Sequence, residues 1–194
     1  QPPHLSLYQL TIEANTQFKY SPPAGLPDDE VLADMQDVLT ARAAASGLER
    51  YEVSAYAVNG QQCRHNVNYW EFGDYIGIGA GAHSKISDQS AVVRFSRPRL
   101  PKEYLKTAGT LNAYVGERKL TQEDLVLEYM INALRLRKGF SLKGFSLHTG
   151  LPEAVIAEGV SQAISKGLLI QQGDVVRPTD RGFAFLSEIQ LMFS

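Results

Sequence analysis

His65, Asn66, Tyr69 and Trp70 fall within six consecutive positions, and their side chains suit different parts of one task on one flat ligand. An imidazole offers a nitrogen to a metal ion or a proton at neutral pH, a neighbouring amide can hydrogen-bond, and two rings can stack on a macrocycle or an adenine. The same crowded stretch, residues 63–84, holds the chain's one Cys and one Trp, two of its four His, and Gly73, Gly77, Gly79 and Gly81. A segment that only joins two elements is polar and small. This one mixes a thiol, ring nitrogens, aromatic rings and bare backbone, which are the materials of a site.

Each residue also has a plainer reading. A lone His is usually a hydrogen-bonded loop residue, an aromatic pair is usually core, and a single Cys is usually a small buried hydrophobe. His65 is the candidate axial ligand for haem iron or a general acid/base. Cys63 alone cannot hold an iron-sulfur cluster. The run Gly77, Gly79, Gly81, His83 superficially resembles a dinucleotide fingerprint, but the spacing fails: the third Gly should come three residues after the second and open a helix. Alternating Gly fits close approach of a ligand or of another strand.

The elements that must position these residues follow from pattern. Residues 4–12 alternate and read as a strand. Pro22, Pro23, Gly25 and Pro27 enforce a loop. Acidic residues 28–30 open a helix whose apolar face is Val31, Met35, Val38 and Leu39, and which Gly47 stops. Residues 51–57 read as a second strand, 63–70 as a loop, and 74–78 as a short third strand. Strand, helix, strand, loop, strand is the rhythm of an α/β fold with parallel strands, whose working residues lie at the carboxyl ends of the strands. Three strands are too few to close a barrel, so further strands are expected before Gln1.

Residues 85–120 read as a connection, with a helix over 102–113. Arg94, Arg97 and Arg99 form a basic cluster that is either a solvated face or a contact for an anionic ligand. From Thr121 the register changes. Thr121 with Asp124 predicts a capping box and a helix through Lys138. A short helix follows over 141–148, then a third opened by Pro152, with Val155, Ile156, Val160, Ala163 and Ile164 inward. A hairpin about Gly173 and a last helix from Thr179 to Leu191 complete the outline of a winged helix. Such modules often bind DNA through the third helix, but here that helix carries Glu153 and Glu158 against a single Lys166, so packing or protein contact is favoured over phosphate.

Composition narrows the classes further. The chain has 194 residues, 44% hydrophobic and 21% charged, with a net charge of -2, which suits a globular protein and gives no basic field for nucleic acid or anionic membrane. One Cys excludes an internal disulfide, and no apolar run reaches membrane-spanning length, so a cytoplasmic location is expected.

Taken together, residues 4–13 (HLSLYQLTIE), 51–57 (YEVSAYA), 63–70 (CRHNVNYW) and 74–84 (DYIGIGAGAHS), in that order, resemble the second half of the radical S-adenosylmethionine proteins related to oxygen-independent coproporphyrinogen III oxidase. The H-N-x-x-Y-W pattern met by His65, Asn66, Tyr69 and Trp70 resembles the haem chaperone branch of that family, where it is proposed to bind haem. The likeness continues through residues 167–183 (GLLIQQGDVVRPTDRGF). It implies the C-terminal part of an incomplete (β/α)6 barrel over 1–88, a connecting segment over 89–120 and a winged-helix-like α+β domain over 121–194. It further implies S-adenosylmethionine contacts at Thr11, Gly77, Gly79, Gly81 and His83, with His65 on haem iron.

The cysteine loop that binds the family's 4Fe-4S cluster is not in this sequence, so the chain is not expected to cleave S-adenosylmethionine by itself. The implied activity is delivery of haem to acceptor proteins. The alternatives are radical decarboxylation of coproporphyrinogen III propionates, and a cofactor-free winged-helix interaction module. An unclosed barrel would also expose apolar faces, so self-association is expected.

Overall fold

In the computed structural model, which describes residues 2–88 and 90–194, helices and short strands alternate in a mixed α/β arrangement. Contacts divide the chain into two compact units, residues 1–63 and 64–194.

The first unit runs β1 (His4–Ser6), α1 (Gln17–Tyr20), α2 (Asp29–Ala45), β2 (Glu49–Glu52) and β3 (Ala55–Ala57). Its sheet has the order β1-β3-β2 with both pairs antiparallel. The parallel pairing expected from the sequence is therefore not what these strands do. The reason lies in what was read as one strand over 51–57: Val53 and Ser54 turn the chain, and a two-residue connection permits only an antiparallel hairpin. The Arg50 guanidinium braces that turn, donating to the Val53 carbonyl at 2.5 Å. Strand β1 likewise ends at Ser6 and not at residue 12, leaving Thr11 outside any strand.

Helix α2 begins as its sequence predicts. Asp28 accepts a hydrogen bond from the Val31 N–H at 3.0 Å, and Asp29 and Glu30 complement the positive end of the dipole. Gly47 ends it with φ at +74°, a backbone conformation that costs other residues about 1–2 kcal/mol. The predicted apolar face is in place but not covered: Val31, Met35, Val38 and Leu39 are 46, 50, 55 and 40% exposed. The small core instead gathers Ala43, Leu48 and Tyr56 with Leu5 and Leu7, and the Tyr56 hydroxyl is held by Gln36 at 2.6 Å and Thr40 at 3.0 Å.

The second unit opens with α3 (Arg64–Trp70), where a loop was expected. The strand expected over 74–78 reduces to one bridge, Tyr75 opposite Lys85. Next come β4 (His83–Ser87), β5 (Val92–Ser96), α4 (Pro101–Thr107), a 3-10 turn (Leu111–Ala113) and β6 (Val115–Lys119), the strands forming an antiparallel sheet in chain order.

Helix α5 (Gln122–Ala133) carries the predicted capping box, Thr121 accepting from the Asp124 N–H at 3.2 Å and Asp124 accepting in return at 3.1 Å. It stops five residues before Lys138, because 134–139 fold into tight turns that bury Leu134 and Leu136 and lead into β7 (Phe140–Ser141). Then follow α6 (Leu142–Thr149), α7 (Ala154–Ser165), β8 (Leu169–Gln172), β9 (Val175–Pro178), α8 (Asp180–Ala184) and α9 (Leu186–Gln190).

Ile156, Val160 and Ala163 of α7 face inward, whereas Ile164 is 37% exposed. The last helix is broken at Phe185 and not continuous. β7, β9 and β8 form a three-stranded antiparallel sheet. The unit's core joins Met130, Leu134, Phe145, Ile156, Val176 and Ile189, all at most 1% exposed. Among the described residues no helix is long and apolar enough to cross a membrane.

Candidate functional site

Helix α3 is seven residues long, too short to be stable by propensity alone, so its ends decide its existence. At its C-terminus the Gly73 N–H reaches back to the Asn68 carbonyl at 2.7 Å and the Phe72 N–H to Tyr69 at 3.0 Å. This closing pattern normally places glycine in the left-handed conformation, yet here Phe72 occupies it with φ at +61°. The strain of about 1–2 kcal/mol is offset by burial: Phe72 is 2% exposed and packs on Tyr129 with ring centres 5.5 Å apart. Full burial of such a side chain contributes roughly 1.5–3 kcal/mol. Gly73 is required beside it, since a Cβ there would lie 2.2 Å from the Asn68 side-chain oxygen.

A helix sorts the motif by spacing. His65 and Tyr69 share one face and Asn66 and Trp70 the next, about 100° around. His65 is exposed, and its ring meets Tyr69 edge-on at 4.9 Å. Tyr69 packs on Tyr75 at 4.3 Å, and burial, then the neighbouring Tyr75, push its phenol pKa above the ordinary value. The Tyr75 hydroxyl accepts from Arg94 at 2.7 Å, and Arg94 donates to Glu128 through Nε at 2.7 Å. Burial works against the Arg94 charge, but the Glu128 carboxylate outweighs it and raises its pKa.

Beneath the same helix end lies Lys85, 2% exposed. Its ammonium donates to Asp74 at 3.0 Å and sits 4.2 Å from the centre of the Phe72 ring. Burial lowers the Lys85 pKa while Asp74 pulls it back up. For Asp74, burial raises the pKa, but the Ser87 N–H and hydroxyl together with Lys85 prevail and hold it below the usual carboxylate value.

Trp70 and Asn66 are half-buried. Trp70 has the Arg135 guanidinium 4.2 Å from its ring centre, and its indole nitrogen is enclosed with no hydrogen-bond partner among the described residues. It lines a cavity of about 520 Å³ together with Tyr129, Leu136, Lys138, Phe140 and His148. Burial, then the Lys85 ammonium, lower the His148 pKa, favouring the neutral imidazole. Burial raises the Tyr129 phenol far above its ordinary value, so it stays protonated. Lys138 at the rim pairs with Glu71. His65 is not among the residues lining this cavity.

The glycine run is tied into the chain. A Cβ on Gly77 would lie 2.2 Å from the His83 carbonyl oxygen, so the close approach at this position is to the chain itself. The N–H groups of Gly77, Gly79 and Gly81 donate to the Ser84 hydroxyl, the Tyr104 hydroxyl and the Pro98 carbonyl. His83 opens β4 opposite Ser96 with its side chain exposed. Thr11 belongs to the other unit, exposed beside a cavity of about 580 Å³ that Leu10, Pro27, Leu32 and Met35 also line. Cys63 is a free, partly exposed thiol. Among the described residues no three His, Cys, Asp or Glu side chains gather to hold a metal ion.

Two arginines of the basic cluster are structural and not solvated. Arg94 serves Glu128 and Tyr75, while Arg97 donates to the Gly77 carbonyl at 3.2 Å and lies 3.8 Å from the Tyr114 ring centre. Tyr75, Glu128, Arg135 and His148 carry no signal of their own in the sequence. Glu128, Arg135 and His148 are joined to the motif only by folding, and Tyr75 stands six residues after Tyr69 in a stretch that reads as a strand.

Residues 120–185 match the family model of the HemN C-terminal domain. Over 99% of its length the chain is 39% identical to the heme chaperone HemW of Haemophilus influenzae and 40% identical to the heme chaperone HemW of Escherichia coli, covering 49% and 50% of those proteins. The chain thus spans about half the length of the curated relatives it matches. The whole chain also superposes, with a TM-score of 0.72 and 18% identity, on 48% of the coproporphyrinogen III oxidase HemN from Escherichia coli, described as a radical SAM enzyme. At that identity the likeness speaks for the fold alone. Nearly every residue of the chain thus aligns to HemW proteins, and its C-terminal region is similar to the HemN C-terminal domain.

Proposed function

We propose that this chain is the haem-contacting portion of a heme chaperone that delivers haem to acceptor proteins. One observation carries the reading: α3 presents an exposed imidazole, His65, on one face and on the next a ring, Trp70, that walls an open cavity. A porphyrin needs a nitrogen donor and flat apolar walls, and His65, Asn66, Tyr69 and Trp70 are the residues we assign to it. The identity of 39–40% to proteins named heme chaperones supports the same reading.

The parent fold we propose is an incomplete (β/α)6 barrel ending near residue 88, a connection over 89–120 and a winged-helix-like domain over 121–194, working in the cytoplasm. We assign Thr11, Gly77, Gly79, Gly81 and His83 to S-adenosylmethionine contacts in the longer family members. The 4Fe-4S cluster does not fit this chain, whose single cysteine cannot supply its ligands, and nothing proposed here depends on one.

Haem added to the purified chain is expected to give a shifted Soret band that His65→Ala alters. A band unchanged by that substitution removes His65 as ligand, and no band at all favours the cofactor-free interaction module. The second reading, coproporphyrinogen decarboxylation, draws on the sequence resemblance of residues 4–13, 51–57 and 74–84 to the relatives of oxygen-independent coproporphyrinogen III oxidase. Release of carbon dioxide from coproporphyrinogen III by a cluster-loaded, full-length protein would install it in place of the first.

A further inference from the structure

His65 stands exposed on α3, and among the described residues no hydrogen bond reaches either nitrogen of its ring. Metal-binding histidines are ordinarily aimed by such a bond, made by the nitrogen that does not ligate. A different restraint is present here. Helical side chains lean toward the N-terminus, so Tyr69, four residues on, lies over His65, and the two rings meet edge-on at 4.9 Å with 68° between their planes.

On so short a helix Tyr69 would turn freely with nothing behind it. Tyr75 stands behind it, ring on ring at 4.3 Å, and Tyr75 is itself fixed at both ends. Its backbone exchanges two 3.0 Å hydrogen bonds with Lys85 of β4, and its hydroxyl accepts from Arg94 of β5 at 2.7 Å. Arg94 is in turn held by Glu128 of α5, whose second oxygen accepts from Arg118 of β6 at 3.0 Å. Three strands and a helix thus converge on one phenol ring. The Tyr69 phenol keeps its proton, because burial and then Tyr75 push its pKa up. A protonated phenol is a poor iron ligand, which leaves the imidazole as the better donor of the two.

We propose that Tyr75 is a positioning residue of the site: by backing Tyr69 it holds the His65 imidazole in one rotamer, aimed for iron. The iron rests on the haem reading above; the rotamer restraint does not. Tyr75 acts only through Tyr69, and Arg94 and Glu128 act only through Tyr75.

Two measurements on the full chain test this. The first needs no ligand: the NMR three-bond couplings about the Cα–Cβ bond of His65 should report a single rotamer in the wild type and averaged values in Tyr75→Leu, which leaves Arg94 paired with Glu128. Tyr75→Phe keeps the ring and should restore the single rotamer. Tyr75→Met takes the place of Tyr75→Leu if the circular dichroism of the latter shows that it does not fold. The second is titration with ferric haem. Tyr75→Leu should weaken binding by roughly three- to tenfold, the size of one side chain's lost rotamer freedom, and Tyr75→Phe should stay within about twofold of the wild type. In a His65→Ala background Tyr75→Leu should change nothing, because a residue that acts through the imidazole then has nothing to position.

Averaged His65 couplings in the wild type overturn the proposal whatever haem does. It is overturned equally if Tyr75→Leu binds haem as tightly as wild type, or if its loss persists in the His65→Ala background, and in both cases the haem reading stands. If His65→Ala binds haem as tightly as wild type, the haem reading loses its ligand and the proposal falls with it.

Discussion

The ammonium of Lys85 lies 3.0 Å from the Asp74 carboxylate and 4.2 Å from the centre of the Phe72 ring, with only 2% of the lysine exposed. This contact joins β4 to the residues that terminate α3, so the helix carrying the motif is fixed by a charge that has few other partners. Asp74→Asn leaves that charge enclosed and poorly compensated. Breaking a fully buried pair costs about 3–5 kcal/mol; with Asp74 partly exposed, about 2–3 kcal/mol is expected, read as a lower urea midpoint at unchanged slope.

The same pair gives stability an acid dependence. The folded-state pKa of Asp74 lies below its ordinary value, so its contribution is complete at neutral pH and is lost as pH falls through that lowered pKa. Urea midpoints measured between pH 6 and pH 3 should fall more for the wild type than for Asp74→Asn, and parallel curves would exclude the carboxylate as a source of acid lability.

Phe72 offers a reversal of the usual order of substitutions. Truncating a buried Phe to Ala costs about 3–5 kcal/mol, and Gly is ordinarily worse than Ala. At φ +61°, however, Ala keeps the left-handed penalty and Gly escapes it. Phe72→Gly is expected to be about 1 kcal/mol more stable than Phe72→Ala by chemical denaturation. The opposite order would show that the helix end relaxes out of this conformation once the ring is gone.

Gly77 and Gly79 separate close packing from conformational need. A Cβ on Gly77 meets a backbone carbonyl at 2.2 Å, whereas at Gly79 it meets nothing within 4 Å but sits at φ +109°. Gly77→Ala must displace the start of β4, and a loss of about 3 kcal/mol is expected, the upper end for strained overpacking. Gly79→Ala should lose about 1–2 kcal/mol. Thermal unfolding of the two variants tests the ranking.

How much of this was legible in the sequence depended on the range of the interactions involved. The capping box at Thr121 and Asp124, the Asp28 cap and the Gly47 stop rest on residues three or four apart, and all three formed as read. The α3 helix was missed because its terminator is Phe72, a residue no propensity rule places in the left-handed region. The strand over 51–57 was misread because Val53 and Ser54 are weak turn formers, held here by Arg50. Within the motif, the residue types were visible, but the separation of His65 from the Trp70 cavity was not. It follows from helical spacing, which a loop assignment removed.

The apolar stripe of α2 yields a last prediction. Val31, Met35, Val38 and Leu39 recur at helical spacing and are each 40–55% exposed, with Tyr8, Leu10 and Leu26 also uncovered nearby in the sequence or in the cavity wall. Contiguous apolar surface of this kind seldom stays in contact with water, and at roughly 25 cal/mol per Å² its burial in a self-contact is favourable. The 194-residue chain is therefore expected to self-associate, its light-scattering mass rising with concentration. Met35→Lys combined with Val38→Lys places two charges in the middle of the stripe, at positions already half in solvent, so the fold should survive while association weakens at least tenfold. A wild-type chain that stays monodisperse and monomeric up to high micromolar concentration would show that this face remains in water without a second copy.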